Sequence, residues 1–199
     1  MTQVYVSMGL FPENYFKGTT DYIARVQQSD GAIPWFEGSP LDPWDHVESA
    51  MGLAIGGKLD EAQQAYYWLK NNQLVNGSWF AAYKNGNVED GTRAESNFVA
   101  YVSTGVWHYY LITGDTDFLI KMWPTVERAM EFVLRLQGPQ GQIYWCEDSS
   151  LGIREDSLVT GCSSIYKSLE CALNIATIVG EDVPSWALAR TKLGNAIAN

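Results

Sequence analysis

Acidic and aromatic side chains are concentrated in three stretches of the 199-residue sequence, at 30–44, 74–95 and 138–162, which are predicted to be long loops. The first of them runs into the segment "PWFEGSPLDPWDHVE" at 34–48. Hydrolysis of a glycosidic bond needs one carboxyl group to protonate the leaving oxygen and a second to support water or the oxocarbenium ion, while flat aromatic rings bind sugar faces. These residue types therefore predict acid–base chemistry on a sugar.

Three carboxyl groups are the predicted catalytic residues: Glu147 as the proton donor, Asp45 as the base and Asp42 as the alternative base. The predicted substrate-binding residues come from the same stretches and are Trp35, Trp44, Trp79, Tyr83, Arg93, Glu95 and Trp145. A second interpretation of each remains open. Asp42 or Asp45 could cap a helix that starts near residue 45, Glu147 could be a solvated loop acid, and the tryptophans could pack helical hairpins together.

An internal repeat precedes each predicted loop. Its pattern is an aromatic and an aliphatic residue, three variable positions, a glutamine, three more positions and a glycine. The copies are Tyr22-Ile23…Gln27…Gly31, Trp68-Leu69…Gln73…Gly77 and Phe132-Val133…Gln137…Gly141. A helix end leaves four backbone groups without partners, and a neutral amide can both donate and accept hydrogen bonds. Gln27, Gln73 and Gln137 are therefore predicted to be structural.

A second repeat, "IGGKLD" at 55–60, "ITGDTD" at 112–117 and "IVGED" at 178–182, is typical of tight turns between helices, because each copy joins a glycine to a nearby aspartate. Apolar periodicity predicts helices at 15–29, 45–56, 59–73, 96–113, 124–137, 163–179 and 184–198, with a short extra turn at 116–122. Short and long connections then alternate. Since successive helices run antiparallel, all long loops should emerge at one end of the stack.

The segment Trp68-Leu69…Gln73…Gly77-Ser78-Trp79 resembles the QW repeat of the terpenoid cyclase and protein prenyltransferase superfamily, and residues 107–137 resemble the helical hairpin of six-hairpin glycosidases. Both superfamilies are α/α toroids with the site at the loop end. The resemblance implies an all-α fold of antiparallel helical hairpins, as a toroid or an incomplete one. In the QW families the glutamine is structural and hydrogen-bonds backbone groups at helix ends.

The repeat spacing predicts about half a ring. Gln27 and Gln73 are 46 residues apart and Gln73 and Gln137 are 64 apart, so six hairpins would require roughly 330 residues by the rule that neighbouring repeats bury one another. The expectation is one toroid-type domain over 1–199 that is incomplete at its C-terminus, or a homodimer that closes the ring.

Two functions of different classes follow, with a purely interactive helical array as a third. The first is a carbohydrate-active, glycosidase-like hydrolase. The second is a terpenoid cyclase-like or prenyltransferase-like protein that binds an isoprenoid. The sequence lacks the Asp-x-Asp-Asp proton donor, the Asp-Asp-x-x-Asp diphosphate site and the Asp, Cys and His set that binds zinc in those superfamilies. An isoprenoid-binding protein with this sequence would therefore lack the active-site motifs that are usual in those superfamilies.

Composition limits the partners. A net charge of −10 argues against nucleic acid and anionic membrane surfaces, and no apolar run is long enough to span a membrane. The segment "MTQVYVSMGLFPENYF" lacks the pattern of a signal peptide, and three cysteines without metal-ligand spacing are typical of reduced thiols. The expectation is a cytoplasmic protein with a small-molecule substrate, no metal and no cofactor.

Overall fold

A computed structural model describes residues 14–198, and within that range the protein has seven α-helices and five short β-strands. The helices are α1 (Lys17–Val26), α2 (Pro43–Ile55), α3 (Leu59–Asn72), α4 (Ser96–Thr113), α5 (Thr116–Arg135), α6 (Val159–Val179) and α7 (Pro184–Ala198). The strands are β1 (Ala82–Lys84), β2 (Asn87–Asp90), β3 (Arg93–Glu95), β4 (Cys146–Asp148) and β5 (Gly152–Arg154). The N-terminal stretch at 1–16, on which the absence of a signal peptide is predicted, lies almost entirely outside the described residues.

The helices form two layers. Helix α4 packs between α2 and α6 in the inner layer, while α1, α3, α5 and α7 pack against the outside of these three. Helix α5 has the stripe expected of an outer helix, with Phe118, Met122, Val126 and Met130 buried on one face. The inner helices are less polar, as their contact with neighbours on several sides requires. The predicted all-α arrangement of helical hairpins is confirmed.

Each repeated glutamine joins two outer helices in the same way. The side-chain amide of Gln73 donates to the carbonyl oxygens of Gly77 and Thr125, both at 2.9 Å. Gln27 donates to Gly31 at 3.1 Å and to Glu61 at 2.9 Å, and Gln137 donates to Gly141 and Ala189, both at 2.9 Å. We call each such pair of hydrogen bonds a glutamine clamp. A clamp ties the end of α1, α3 or α5 to the backbone of the next outer helix.

The glycine of each clamp lies against that same next helix. Gly31, Gly77 and Gly141 have positive φ angles of 96°, 89° and 94°. A Cβ atom on Gly77 would lie 2.1 Å from the carbonyl oxygen of Arg128, one turn beyond the Thr125 carbonyl that the clamp uses. Only glycine fits both the conformation and the close approach, which explains the repeated Gln…Gly spacing.

The three long connections meet at one end, as the alternation of short and long connections predicts. Leu41 and Tyr83 exchange two backbone hydrogen bonds of 2.9 Å, so the first and second connections are joined. Strand β3 pairs with β4, which joins the second to the third, and β5 pairs with β4 on its other side. The sequence predicts these segments as loops; the short strands within them were not predicted.

The structure also corrects one helix. The sequence predicts a short turn at 116–122 and a helix that starts at Pro124, but α5 is continuous and contains Pro124 in its interior. Asp115 caps the helix, because its side chain accepts a hydrogen bond from the Phe118 amide at 2.9 Å. An interior proline costs about 3 kcal/mol. The apolar stripe on both sides of it, including Leu119 and Val126, offsets that cost by burial.

Helix boundaries differ elsewhere by a few residues. Helix α1 ends at Val26 because Gln27 adopts an extended conformation, and α6 begins at Val159 rather than 163 because the Cys162 amide already bonds the Leu158 carbonyl. Asp60 lies in the first turn of α3 instead of capping it.

Candidate active site

Asp42 is the buried member of an acidic cluster at the loop end, which also contains Asp45, Glu48 and Glu95. It precedes α2, and its Oδ1 accepts a hydrogen bond from the Asp45 amide at 3.0 Å, which is the N-cap arrangement. Its Oδ2 accepts a hydrogen bond from Nε1 of Trp35 at 2.6 Å. The residue is only 6% exposed. Asp42 therefore both caps helix α2 and belongs to the acidic cluster.

Asp45 lies in the first turn of α2 and is exposed on its outer side. Partial desolvation, followed by repulsion from Asp42 and Glu48, raises its pKa to about 6. A carboxyl group with this pKa is half protonated at pH 6 and about one-tenth protonated at pH 7, and a general acid must be protonated to act. The sequence assigns Asp45 as the base. That role stays a prediction, and the raised pKa is the property expected of an acid.

Glu95 and Arg93 bring the second connection into the same cluster. Burial raises the pKa of Glu95, an effect that Arg93 opposes and Asp42 reinforces. Nε of Arg93 donates to Glu95 at 2.8 Å, and its NH1 donates to Asp90 at 2.8 Å. The guanidinium also lies 5.7 Å from the ring centre of Trp145, a cation–π distance. The cluster thus gathers predicted residues from all three connections.

Glu48 and Tyr101 belong to this site although sequence reasoning did not select them. Trp44 and Tyr101 stack with their ring centres 3.8 Å apart and their planes 8° apart. Oε1 of Glu48 accepts hydrogen bonds from Nε1 of Trp44 at 3.0 Å and from the Tyr101 hydroxyl at 3.4 Å. Glu48 follows Asp45 by three residues, so both occupy one face of α2. That spacing was the signal available in the sequence.

Glu147, the predicted proton donor, is paired with an arginine. Arg135 binds its two carboxylate oxygens at 2.8 and 3.0 Å, and this ion pair lowers the pKa of Glu147. Glu147 pairs with Ala94 across strands β3 and β4, whereas Glu95 pairs with Cys146. Because neighbouring residues on a strand point to opposite faces, Glu147 and Glu95 lie on opposite faces of the small sheet. The assignment of Glu147 as the acid stays a prediction, and the ion pair with Arg135 and the position on the opposite face of the sheet count against it.

Trp79 and Tyr83 are buried and support the site from behind. Trp79 is 1% exposed, and its Nε1 donates to the Leu69 carbonyl at 2.9 Å. The Tyr83 hydroxyl accepts a hydrogen bond from the Phe80 amide at 2.9 Å. Neither ring offers a face to a ligand. The repeat contained this information, because Ile33 and Ile143, which occupy the position of Trp79 in the other copies, are also buried.

His46 is a buried support beneath Asp42. Its Nδ1 accepts a hydrogen bond from the Ile33 amide at 3.1 Å, and its Nε2 donates to the Ala65 carbonyl at 2.9 Å. Burial lowers the pKa of His46 to about 4, so the ring is neutral at pH 7 and carries its proton on Nε2. No partner for His46 could be predicted from the sequence. In the structure it ties the first connection to α3.

Within residues 14–198 no group of three or more His, Cys, Asp or Glu side chains could hold a metal ion, and no helix is long and apolar enough to cross a membrane. Cys146, Cys162 and Cys171 are free and buried.

No protein-family model matches the sequence. The chain is 47% identical over 190 residues to the MMP endo-(1,4)-3-O-methyl-alpha-D-mannosidase of Mycolicibacterium hassiacum, and the match covers 96% of this chain and 52% of that protein. This chain therefore spans about half the length of that relative.

Solved structures with the same arrangement include an unsaturated glucuronyl hydrolase specific for heparin, with a TM-score of 0.70 at 17% identity over 92% of this chain and 54% of that one. A family 76 glycoside hydrolase (mannosidase) of Bacteroides thetaiotaomicron has a TM-score of 0.61 at 12% identity over 83% of this chain and 47% of its own. The fold is the α/α toroid. The described helices match about half of such a ring, as the repeat spacing predicts.

Proposed function

We propose that this chain carries the catalytic carboxyl groups of a glycoside hydrolase that cleaves within (1,4)-linked chains of 3-O-methyl-α-D-mannose. The observation that carries the proposal is the 47% identity, over nearly the whole of this chain, with a mannosidase of that specificity. The acidic and aromatic cluster at the loop end supports it, because it combines a raised-pKa carboxyl group with tryptophan rings.

In this proposal Asp45 donates its proton to the leaving glycosidic oxygen. Asp42, which is buried and accepts hydrogen bonds from two N–H groups, lies beside it and raises the pKa of Asp45. Glu48 supplies a further exposed carboxylate on the same helix face, with Oε1 fixed by Trp44 and Tyr101. Glu48 is the group we propose to accept hydrogen bonds from water or from a sugar hydroxyl.

The isoprenoid hypothesis has less support. The residues around Asp45 include Asp42, Glu48, Arg93 and Glu95, whereas an isoprenoid chain requires an apolar tunnel. None of the proteins named above is a terpenoid cyclase or a prenyltransferase.

The test is hydrolysis of a (1,4)-linked 3-O-methyl-α-D-mannose oligosaccharide by the purified chain, followed by chromatography and mass spectrometry of the products. The unmethylated oligosaccharide serves as the control substrate. We expect internal cleavage that Asp45→Asn lowers by about 10²-fold to 10⁴-fold, the usual contribution of a general acid. Binding without cleavage would refute the hydrolase assignment for this chain, and a lack of binding would refute the sugar substrate.

The homodimer and the cytoplasmic location remain predictions. Ring closure by a second copy is consistent with the coverage of about half of the related toroids, and light scattering that finds a monomer would contradict it.

A further inference from the structure

The segment from Ile33 to Leu41 is a tight loop held at several points. The Trp35 amide donates to the Pro40 carbonyl at 3.1 Å. The Ser39 hydroxyl contacts the amide and carbonyl groups of Phe36, both at 2.8 Å. His46 holds one end of the loop through the Ile33 amide. The loop is therefore fixed before any ligand binds.

This loop presents the indole of Trp35 in one orientation beside the acids. The side chain is 49% exposed, while its Nε1 donates the 2.6 Å hydrogen bond to Asp42. A large ring that stays half in solvent on a rigid loop leaves its apolar area available to a ligand. Its polar edge, in contrast, is committed to the carboxylate that caps α2.

We propose that Trp35 has two linked roles: its ring is the stacking platform for a sugar bound beside Asp45, and its N–H is a positioning group that holds the Asp42 carboxyl group next to Asp45. The first role rests on the proposed function, which supplies the sugar; the second concerns the two carboxyl groups alone and is tested without a substrate.

The charged and titratable groups around this pair come from four elements. From α2 they are Glu48, which repels Asp45, and His46, which is neutral and buried. From β3 they are Arg93 and Glu95, and from β2 Asp90, which is bound to Arg93. Tyr101 of α4 reaches the cluster through Glu48. Removal of the Trp35 N–H changes none of these charges, so its effect on the pair can be measured separately.

The expected effect has a definite sign. The N–H stabilises every state in which Asp42 is charged, including the state with both carboxyl groups charged. Without the N–H, the states that have the proton on Asp42 become more stable relative to the others. The last proton of the pair is then held more tightly and is shared between the two carboxyl groups, so the higher apparent pKa of the pair rises. A loop that merely loosens would instead hydrate Asp45 and lower that pKa towards its ordinary value.

The experiment is a carbon-13 NMR titration of the aspartate carboxyl groups in the wild type, Trp35→Phe, Asp42→Asn and Phe36→Ala. Trp35→Phe keeps an aromatic ring but loses the N–H, and we expect the higher pKa to rise by up to about one unit, with a smaller signal change at Asp45. Asp42→Asn removes a repelling charge, so the pKa of Asp45 should fall. Phe36→Ala alters the same loop without contact to the acids and should leave the titration unchanged. A fall in Trp35→Phe would overturn the positioning role.

The stacking role is tested separately by calorimetric binding of the methylated mannose oligosaccharide. Trp35→Ala should weaken binding by about tenfold, and Trp35→Phe should weaken it less than Trp35→Ala does. Equal losses of affinity in the two variants would overturn the stacking role. The titration does not depend on hydrolysis, so a protein that binds no sugar but shows the predicted rise in pKa would refute the proposed function and leave the positioning role standing.

Discussion

Replacement of a clamp glutamine should destabilise the protein by a similar amount at each of its three positions. In Gln73→Ala the carbonyl groups of Gly77 and Thr125 each lose a donor, and Arg128 loses the Oε1 atom that its NH2 contacts at 2.6 Å. One net hydrogen bond contributes about 1 kcal/mol, and a buried group left without a partner costs about 1 to 3 kcal/mol. Because the clamp is only partly buried, we expect a loss of about 2 kcal/mol.

Urea unfolding followed by circular dichroism measures this loss, and for a domain of this size it corresponds to a decrease in Tm of about 4 to 8 °C. The control is Gln28→Ala, which alters the residue next to Gln27 and removes no clamp bond. Gln27→Ala and Gln137→Ala should match Gln73→Ala within about 1 kcal/mol. If the clamp variants are no less stable than the Gln28 control, the glutamines are not the ties between outer helices.

Four further results are expected. Gly77→Ala should destabilise the protein more than Gly86→Ala in urea unfolding, since both residues have positive φ but only the first would place its Cβ 2.1 Å from a carbonyl oxygen; equal losses would contradict the close-approach argument. Glu147→Gln should leave hydrolysis within about threefold of wild type, and a loss comparable with that of Asp45→Asn would restore Glu147 as the acid. The pKa of His46 is lowered to about 4, so its contribution to the free energy of unfolding is present above pH 6.5 and decreases by up to about 3 kcal/mol as the pH falls towards 4; His46→Gln should flatten that part of the profile, and an unchanged slope would count against it. The pKa of Asp45 is raised to about 6, so stability is lost as the pH rises from about 4 through 6, and the Tm of Asp45→Asn should improve relative to wild type over that interval; a constant difference would argue against the raised pKa.

The helical hairpins could be predicted because their signals are local. Glycine at a helix end, aspartate beyond it and a 3.6-residue apolar period appear within one element, as in "ITGDTD". Pro124 was misjudged because its cost is local, whereas the burial that offsets it comes from neighbouring helices. The small strands were missed for the same reason, since β3 finds its partner β4 more than fifty residues away.

The site was predicted in outline but not in its assignments. The sequence located the acids and aromatic residues, and the meeting of the loops brings Trp35, Asp42, Asp45 and Glu95 together. Which carboxyl group holds a proton depends on partners that only the fold reveals. Arg135 is twelve residues before Glu147 in the chain, and nothing in the sequence indicates that it binds both of its oxygens.

The glutamine clamps also make the ties between outer helices independent of most side chains on those helices. Each glutamine amide contacts a main-chain carbonyl group of the next outer helix. Because every residue has that carbonyl group whatever its side chain, substitutions on the helix leave the tie in place. Each long connection starts immediately after a clamp and ends where an inner helix begins. The first end of each loop is thus held by one glutamine and one glycine, and the residues between that glycine and the inner helix take no part in the clamp. Loop length beyond the glycine can therefore vary without loss of the tie, as it does between the connections at 27–42 and 73–95.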